Sequence, residues 1–311
     1  MPGIRVALLG ATGQLGHDIT RVAERKEIEL LSLDHEQVEI TNRESVEQAL
    51  ANFKPSVVIN SAAFHQVDRC EEDPAEALRV NALGALNVAR ASNALEAKCV
   101  YMSTDYVFSG HKSPPKEAQL DAHNSYMEDD TPGPVNVYGA SKLAGEQLTQ
   151  IAQPNALIVR VASLFGVAGA RGKGGNFIET ILKKAREGGP LRVVNYQFMT
   201  PTYTKDAAHA ILRLVEMNAS GVVHVTNSGA CTWYKFACKA VQYAGLKASI
   251  QPVPSSTYPS KARRPANSAL NTTLLNKLLG TLLRHWESAL QAYLSEKGHM
   301  PAEGAFSEHD S

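Results

Sequence analysis

Short, continuous apolar runs alternate with amphipathic stretches along the first half of the chain. Residues 4–9, 28–33, 57–60, 99–103 and 156–161 read as strands. Between them, residues 14–25, 45–53, 74–95 and 137–151 read as helices. Strands that are apolar on both faces and alternate with helices predict a parallel sheet covered on both sides. The predicted class is α/β, a Rossmann-type doubly wound parallel sheet.

The segment 110–134 is polar and rich in Pro, Asp and His, so it reads as a long surface loop, either functional or disordered. The pattern loosens after Phe165. A glycine-rich, basic stretch at 166–176 reads as a mobile loop leading into a helix at 177–186. Residues 221–225, a helix at 233–244 and a proline-dotted run at 251–265 follow in less regular order. The expected organisation is a dinucleotide-binding domain over 1–165 and a smaller α/β substrate domain over 166–295. Some segments of the second would return to the first, and 296–311 would form a poorly ordered tail.

Composition narrows the field. The 311 residues, 44% of them hydrophobic, suffice for one large core or two unequal domains. Lys+Arg and Asp+Glu stand at 31 each, so net charge gives no reason to expect nucleic acid or an acidic membrane as partner. Cys70, Cys99, Cys231 and Cys238 form no C-x-x-C pair and have no histidine at zinc spacing. They read as reduced thiols of a cytoplasmic protein, and no metal site is legible. The N-terminus has no basic region followed by an apolar core, and the longest apolar runs fall short of a membrane span.

Candidate chemistry begins at GATGQLG, which spans Gly10, Thr12, Gly13, Gln14, Leu15 and Gly16 between the first strand and the first helix. Glycines there permit a tight turn and close approach of backbone to a pyrophosphate, which the helix N-terminus favours electrostatically. Asp34 ends the second strand, where a carboxylate bonds adenosine ribose hydroxyls and repels a 2′-phosphate. His35 partly offsets that repulsion, so NADPH and NADH both stay open. Asn60-Ser-Ala-Ala63 ends the third strand, and the small Ala62 and Ala63 let a cofactor lie against the backbone.

Tyr138 and Lys142 stand four apart, on one face of a predicted helix. An ammonium beside a phenol favours the phenolate and lowers a pKa that starts at about 10. Such a tyrosine exchanges a proton with a substrate oxygen near neutral pH. Thr104, in STDYVF at the end of a strand, offers a hydroxyl to a carbonyl that gains charge.

GATGQLG, NSAA, VNALG, STDYVF and VYGASKLAGE occur in this order at sensible spacing. Together with VNYQFMTPT and ARRPANS, they make the chain resemble the dTDP-4-dehydrorhamnose reductase family of extended short-chain reductases, over about residues 4–295. The resemblance implies NAD(P)H-dependent reduction of the C4 keto group of a nucleotide-activated 4-keto-6-deoxysugar. Tyr138 would be the proton donor, Lys142 its partner and ribose ligand, and Thr104 the polarising hydroxyl. Asp105 and Tyr106 would lie near the sugar and nicotinamide, and Glu39 and Ile40 at the adenine. Gln197, Arg264, Asn267 and Ser268 would belong to the nucleotide-sugar pocket. A homodimer is compatible with it.

Three positions depart from the family pattern. Ser163 stands where many members carry Trp, Tyr196 replaces the usual Asp and Met199 the usual Gly. Another nucleotide sugar is therefore an alternative. The non-catalytic β subunit of methionine adenosyltransferase resembles the same family and supplies a second, although Tyr138, Lys142 and Thr104 are all retained here. Trp233 reads as a helix-packing aromatic rather than a base-stacking one.

Overall fold

Residues 3–26, 28–115, 120–169 and 175–301 are described by the computed structural model. The chain runs β1 (Arg5–Leu9), α1 (Gln14–Arg25), β2 (Glu29–Leu33), α2 (Arg43–Ala51), β3 (Val57–Asn60), α3 (Val67–Glu72) and α4 (Pro74–Leu78). A π-helical turn, Arg79–Gly84, leads to α5 (Ala85–Ala94), β4 (Lys98–Thr104), a 3-10 turn (Asp105–Val107), α6 (Val137–Ala152) and β5 (Leu157–Val161). The second half adds β6 (Leu164–Phe165), α7 (Phe177–Glu187), β7 (Leu191–Val194), β8 (Phe198–Met199), β9 (Thr202–Tyr203), α8 (Thr204–Glu216) and β10 (Gly221–His224). It ends with β11 (Cys231–Thr232), α9 (Trp233–Tyr243), β12 (Ile250–Val253), α10 (Thr273–Leu279) and α11 (Trp286–Glu296).

Six strands form one parallel sheet in the order β10-β5-β4-β3-β1-β2. Alternation along β1 explains its double-sided burial. Val6 and Leu8 pack with Ile19, Val22 and the α8 residues Ile211 and Leu212, whereas Ala7 and Leu9 pack with Val46, Leu50, Val88 and Ala89. The strand order reverses between β1 and β3, which opens a crevice at their carboxyl ends, the usual ligand position in such sheets.

A second core gathers Phe165, Ile178, Leu182, Phe236, Trp286, Leu290 and Tyr293 from the C-terminal half. β10, α8 and α10 from that half belong instead to the six-stranded sheet and its cover.

Three expectations change. The helix expected over 74–95 is interrupted, because the chain adds a π-helical turn at Arg79–Gly84. The loop at 110–134 is pinned: Tyr126 stacks on Phe108 with ring centroids 4.2 Å apart. Tyr126 also bonds Ala269 and Asn271 through its backbone, both at 2.8 Å. Residues 296–301, expected in a loose tail, are anchored. Glu296 accepts from Arg21 at 2.9 Å and from Lys205 at 2.8 Å, and His299 Nε2 lies 3.0 Å from Glu179 Oε1. The basic stretch at 170–174 and the tail from 302 lie outside the described residues.

Candidate active site

The glycine turn lies at the β1/β3 switch point. Gly10 has φ +82°, and a side chain there would collide with the Ala62 amide and with Ser61, so β1 and β3 meet this closely only through glycine. The Gly10 and Ala11 amides donate to the Leu33 carbonyl at 2.9 and 3.1 Å, which ties the turn to the end of β2. Gly13 caps α1 without a side chain to take up its first-turn amides. Those amides have no acceptor inside the helix and carry the positive end of its dipole. Gln14 Oε1 and Asn60 Nδ2 are buried beside the turn with no hydrogen-bond partner among the described residues. An uncapped helix end, a close-approach glycine and two orphaned polar atoms fit a bound dinucleotide.

Asp34 sits at the end of β2 and is half-buried, but its Oδ1 accepts from the amides of Glu36 and Gln37 at 3.0 and 3.2 Å. One of its two oxygens is therefore committed to its own turn. Glu39 is similarly engaged. The Thr41 amide, at 3.0 Å from its carboxylate, holds the pKa of Glu39 below the usual range. Ile40 is 5% exposed, with its side chain over Gly84.

The helix α6 brings Tyr138 and Lys142 to the end of β4. Asn136 caps it by accepting from the Gly139 amide at 2.8 Å. A side chain at Gly139 would strike the Tyr106 carbonyl, so this glycine lets α6 approach the 3-10 turn that follows Thr104. The rings of Tyr138 and Tyr106 meet edge to face with centroids 6.0 Å apart. The Thr104 hydroxyl donates to Asp105 Oδ1 at 3.0 Å and accepts from the Tyr106 amide at 3.2 Å.

The electrostatics correct one expectation. Burial pushes the Tyr138 pKa up rather than down; the Thr104 hydroxyl favours the phenolate but does not outweigh burial. Lys142 is 2% exposed, and burial brings its pKa down to about 7. Its Nζ lies 4.0 Å from the centroid of the Tyr101 ring, so in this state it is seated on β4. Asp105 is raised by burial to about 6, and its Oδ2 has no partner among the described residues.

Residues expected around the sugar divide into two groups. Tyr106 and Arg264 face one another beside Asp105. Arg264 also pairs with Asp68 on α3 at 3.0 Å, and Asp68 accepts from Ser260 at 2.6 Å and from the Ala262 amide at 3.0 Å. This latch holds the RPANS segment against α3. Asn136 adds a bond to the Arg263 carbonyl at 2.8 Å, which ties the same segment to the start of α6. Asn267 stands apart. Fully buried, it donates to the Ser113 and Asn124 carbonyls at 2.9 and 2.8 Å and so clamps the 110–134 loop. Its amide is spent there, because a loop of that length carries backbone carbonyls that need donors. The Ser268 hydroxyl is turned to the Phe198 carbonyl at 3.4 Å.

Gln197 bonds Ser255 at 3.2 Å. Tyr196 beside it is 62% exposed, whereas Met199 is 2% exposed and belongs to the second core. Ser163 adopts φ +43°, in the left-handed region that ordinary side chains avoid. Trp233 packs on Phe177 at 4.7 Å between centroids, in agreement with a helix-packing role.

Three residues carried no role in the sequence reading and are central to the geometry. Asn81, in the π-helical turn, donates to the Phe64 carbonyl and the Ser141 hydroxyl, each at 3.0 Å. Glu146 and Arg160 form a buried two-pronged ion pair next to Lys142. A carboxylate four residues after Lys142 was the available signal for Glu146.

A doubly wound parallel sheet with a glycine turn at its switch point, and with Thr104 on β4 facing Tyr138 and Lys142 of α6, marks an oxidoreductase of the extended short-chain class. Within that class the chain belongs to the RmlD family: the profile of the RmlD substrate binding domain matches residues 4–298. The chain is 37% identical over 293 residues to the spore coat polysaccharide biosynthesis protein SpsK of Bacillus subtilis, covering 94% of this chain and 98% of that one. It is 32% identical to the dTDP-4-dehydrorhamnose reductase of Escherichia coli K12, covering 94% and 98%. The crystal structure of dTDP-4-dehydrorhamnose reductase from Bacillus anthracis in complex with NADP superposes with a TM-score of 0.86 at 34% identity, covering 94% of this chain and 99% of that chain.

Proposed function

We propose that this protein reduces the C4 keto group of dTDP-4-dehydro-L-rhamnose to give dTDP-L-rhamnose, with NADPH as reductant and NADH as the alternative donor. The observation that carries this reading is Tyr138 against the Thr104 hydroxyl at the end of β4, with Lys142 one helical turn further along α6 over Tyr101, beside a glycine turn fitted for a dinucleotide. NADP in the Bacillus anthracis relative supports the choice of cofactor.

When bound, the reduced nicotinamide supplies a hydride, whose electron pair forms the new C–H bond at C4. The carbonyl π electrons then move to the oxygen. Tyr138 donates its hydroxyl proton to that oxygen, and its high pKa keeps it protonated for the task. Thr104, turning its hydroxyl proton from Asp105 to the substrate, would hold the carbonyl oxygen by a hydrogen bond that strengthens as charge develops. Lys142 binds the nicotinamide ribose, and its positive charge opposes the cost of leaving Tyr138 ionised. Gly10 and the amides of Gln14, Leu15 and Gly16 would hold the pyrophosphate, with Thr12, Gly13, Ala62 and Ala63 beside it; the Gly13 amide itself donates to the Gly10 carbonyl at 3.0 Å. Asp34, Glu39 and Ile40 bound the adenosine end. On the sugar side, Asp105, Tyr106, Gln197 and the Arg264 guanidinium face the nucleotide sugar. Arg264 suits a diphosphate because its planar fork offers paired donors.

Four cysteine thiols outside any disulfide suit a reducing compartment, and we place the protein in the cytoplasm. A second reading, reduction of a different nucleotide-activated 4-keto sugar, draws on Ser163 in its left-handed turn and on the exposed Tyr196.

The test is loss of NADPH absorbance with purified protein and a panel of dTDP-, GDP- and UDP-linked 4-keto sugars. The primary reading expects turnover with dTDP-4-dehydro-L-rhamnose well above the others. Preference for another sugar moves the assignment to the second reading. No turnover with any of them ends the reductase reading.

A further inference from the structure

Lys142 lies on the face of α6 that packs against β4, almost wholly out of water. A buried ammonium is unfavourable unless a ring face or a carboxylate answers its charge. Both are present. The Tyr101 ring lies 4.0 Å below Nζ, and Tyr101 is itself fixed, because its hydroxyl donates to the Asn81 carbonyl at 2.8 Å. Glu146 follows one helical turn after Lys142 and is 2% exposed. Its carboxylate favours the charged form of Lys142 against the effect of burial.

The carboxylate is not free to swing. Arg160 donates Nε to Oε1 at 2.8 Å and Nη2 to Oε2 at 2.7 Å, and the Ser103 hydroxyl donates to Oε1. Tyr101 and Ser103 are two apart on β4 and so share the face turned to α6. With both oxygens of Glu146 held by Arg160, Lys142 feels the negative charge without being captured in a direct ion pair. Its donors stay available to a ribose.

We propose that Tyr101 and Glu146 are positioning residues for Lys142, the ring seating the ammonium and the carboxylate, locked by Arg160 and Ser103, keeping it charged. The proposal rests on the reductase reading for its consequence but not for its test. Glu146 is the one charged group that acts on Lys142 besides burial; one turn earlier on α6, Tyr138 is faced by Asp105 and Tyr106 of the 3-10 turn and by Cys70 of α3, and Glu71 accepts from the Val137 amide. Arg79 of the π-helical turn is paired with Glu76 at 2.7 Å.

The experiment follows the side-chain carbon resonances of lysine in protein carrying 13C-lysine, with Lys142 assigned by its loss in Lys142→Met. Glu146→Gln combined with Arg160→Met removes the pair together, so that neither of its two partners is left unanswered and Lys142 alone loses its carboxylate. The expected result is a Lys142 titration midpoint lower by about one pH unit, typical of losing a nearby opposite charge. NADPH affinity, read by fluorescence, should weaken at lower pH by the same interval. Tyr101→Leu should also lower the midpoint, whereas Tyr101→Phe, which keeps the ring, should not. The tyrosine pair stands as an independent test if the double variant does not fold. An unmoved midpoint in folded variants overturns the proposal, as does Tyr101→Phe behaving like Tyr101→Leu. Because the titration is read without sugar, absence of turnover in the wild-type protein would count against the reductase reading and leave this test in force.

Discussion

Arg160 on β5 and Glu146 on α6 face each other inside the protein through two parallel bonds of 2.8 and 2.7 Å, with side-chain exposures of only 4% and 3%. Such a pair is weak evidence for stability while intact but costly to break, because one partner is left buried and uncompensated. Arg160→Met alone should destabilise the fold by about 3–5 kcal/mol in urea unfolding. Joining it to Glu146→Gln should recover most of that loss. Equal stability of Arg160→Met and wild type would contradict the buried-pair account.

Tyr138→Phe removes the proton donor and keeps the ring against Tyr106. Loss of a general acid typically costs about 10²–10⁴-fold in rate. kcat should fall by that order while NADPH binding, measured by fluorescence, changes little. Retention of wild-type kcat would remove Tyr138 from the mechanism.

Lys142 titrates at about 7 in the folded chain, against 10.5 for an ordinary lysine. In the proposed mechanism its ammonium assists the reaction, so kcat/KM for reduction should decline as pH rises through about 7. Stability runs the other way. Between about 7 and 10.5 the unfolded chain binds the extra proton, so folding strengthens as pH rises across that window. Lys142→Met should then be the more stable protein at neutral pH, by an amount of the order of a few kcal/mol, and inactive. Thermal melts at pH 7 and pH 10 check both signs: the advantage of the variant should shrink at the higher pH.

Asp68 and Glu296 make an acid prediction. Burial raises both, but hydrogen bonds outweigh it: Ser260, Ala262 and Arg264 hold Asp68 at about 2, and Lys205, Tyr203 and Arg21 hold Glu296 at about 2. Their ordinary values are 3.8 and 4.5, so the stability they contribute is present above that range and is lost as pH falls through about 2. Melting temperature should drop across this window. Asp68→Asn, which loosens Arg264 and the RPANS segment, should flatten the drop and raise KM for the sugar nucleotide more than it lowers kcat. A variant with an unchanged acid limb would place the source elsewhere.

The alternation of apolar strands and helices up to 161 was enough to specify five of the six strands of the sheet, because strands covered on both faces must be apolar on both. The order of β10 and α8 was not legible. Their packing on the first sheet depends on how the second half folds back, and no local period encodes that return. The break at Arg79–Gly84 was hidden as well, since a π-helical turn keeps the composition of the helix it interrupts. At the site, helix and strand periods put Tyr138 and Lys142 on one face and Thr104 at a strand end, and the order of the surrounding motifs, through the family resemblance, linked the three. What those periods could not carry is environment. In sequence Lys142 is a base beside an acid; in the fold it is a buried ammonium over Tyr101, answered by a carboxylate that Arg160, eighteen positions away, holds in place. Asn267 likewise reads as a sugar ligand in its motif and becomes a clamp on the 110–134 loop once the carbonyls of Ser113 and Asn124 surround it. Residue type and spacing thus determined which groups are available for chemistry. Burial and long-range hydrogen bonds, which exist only once the chain has closed, decided their charge and their duties, because desolvation acts on a site and not on a motif.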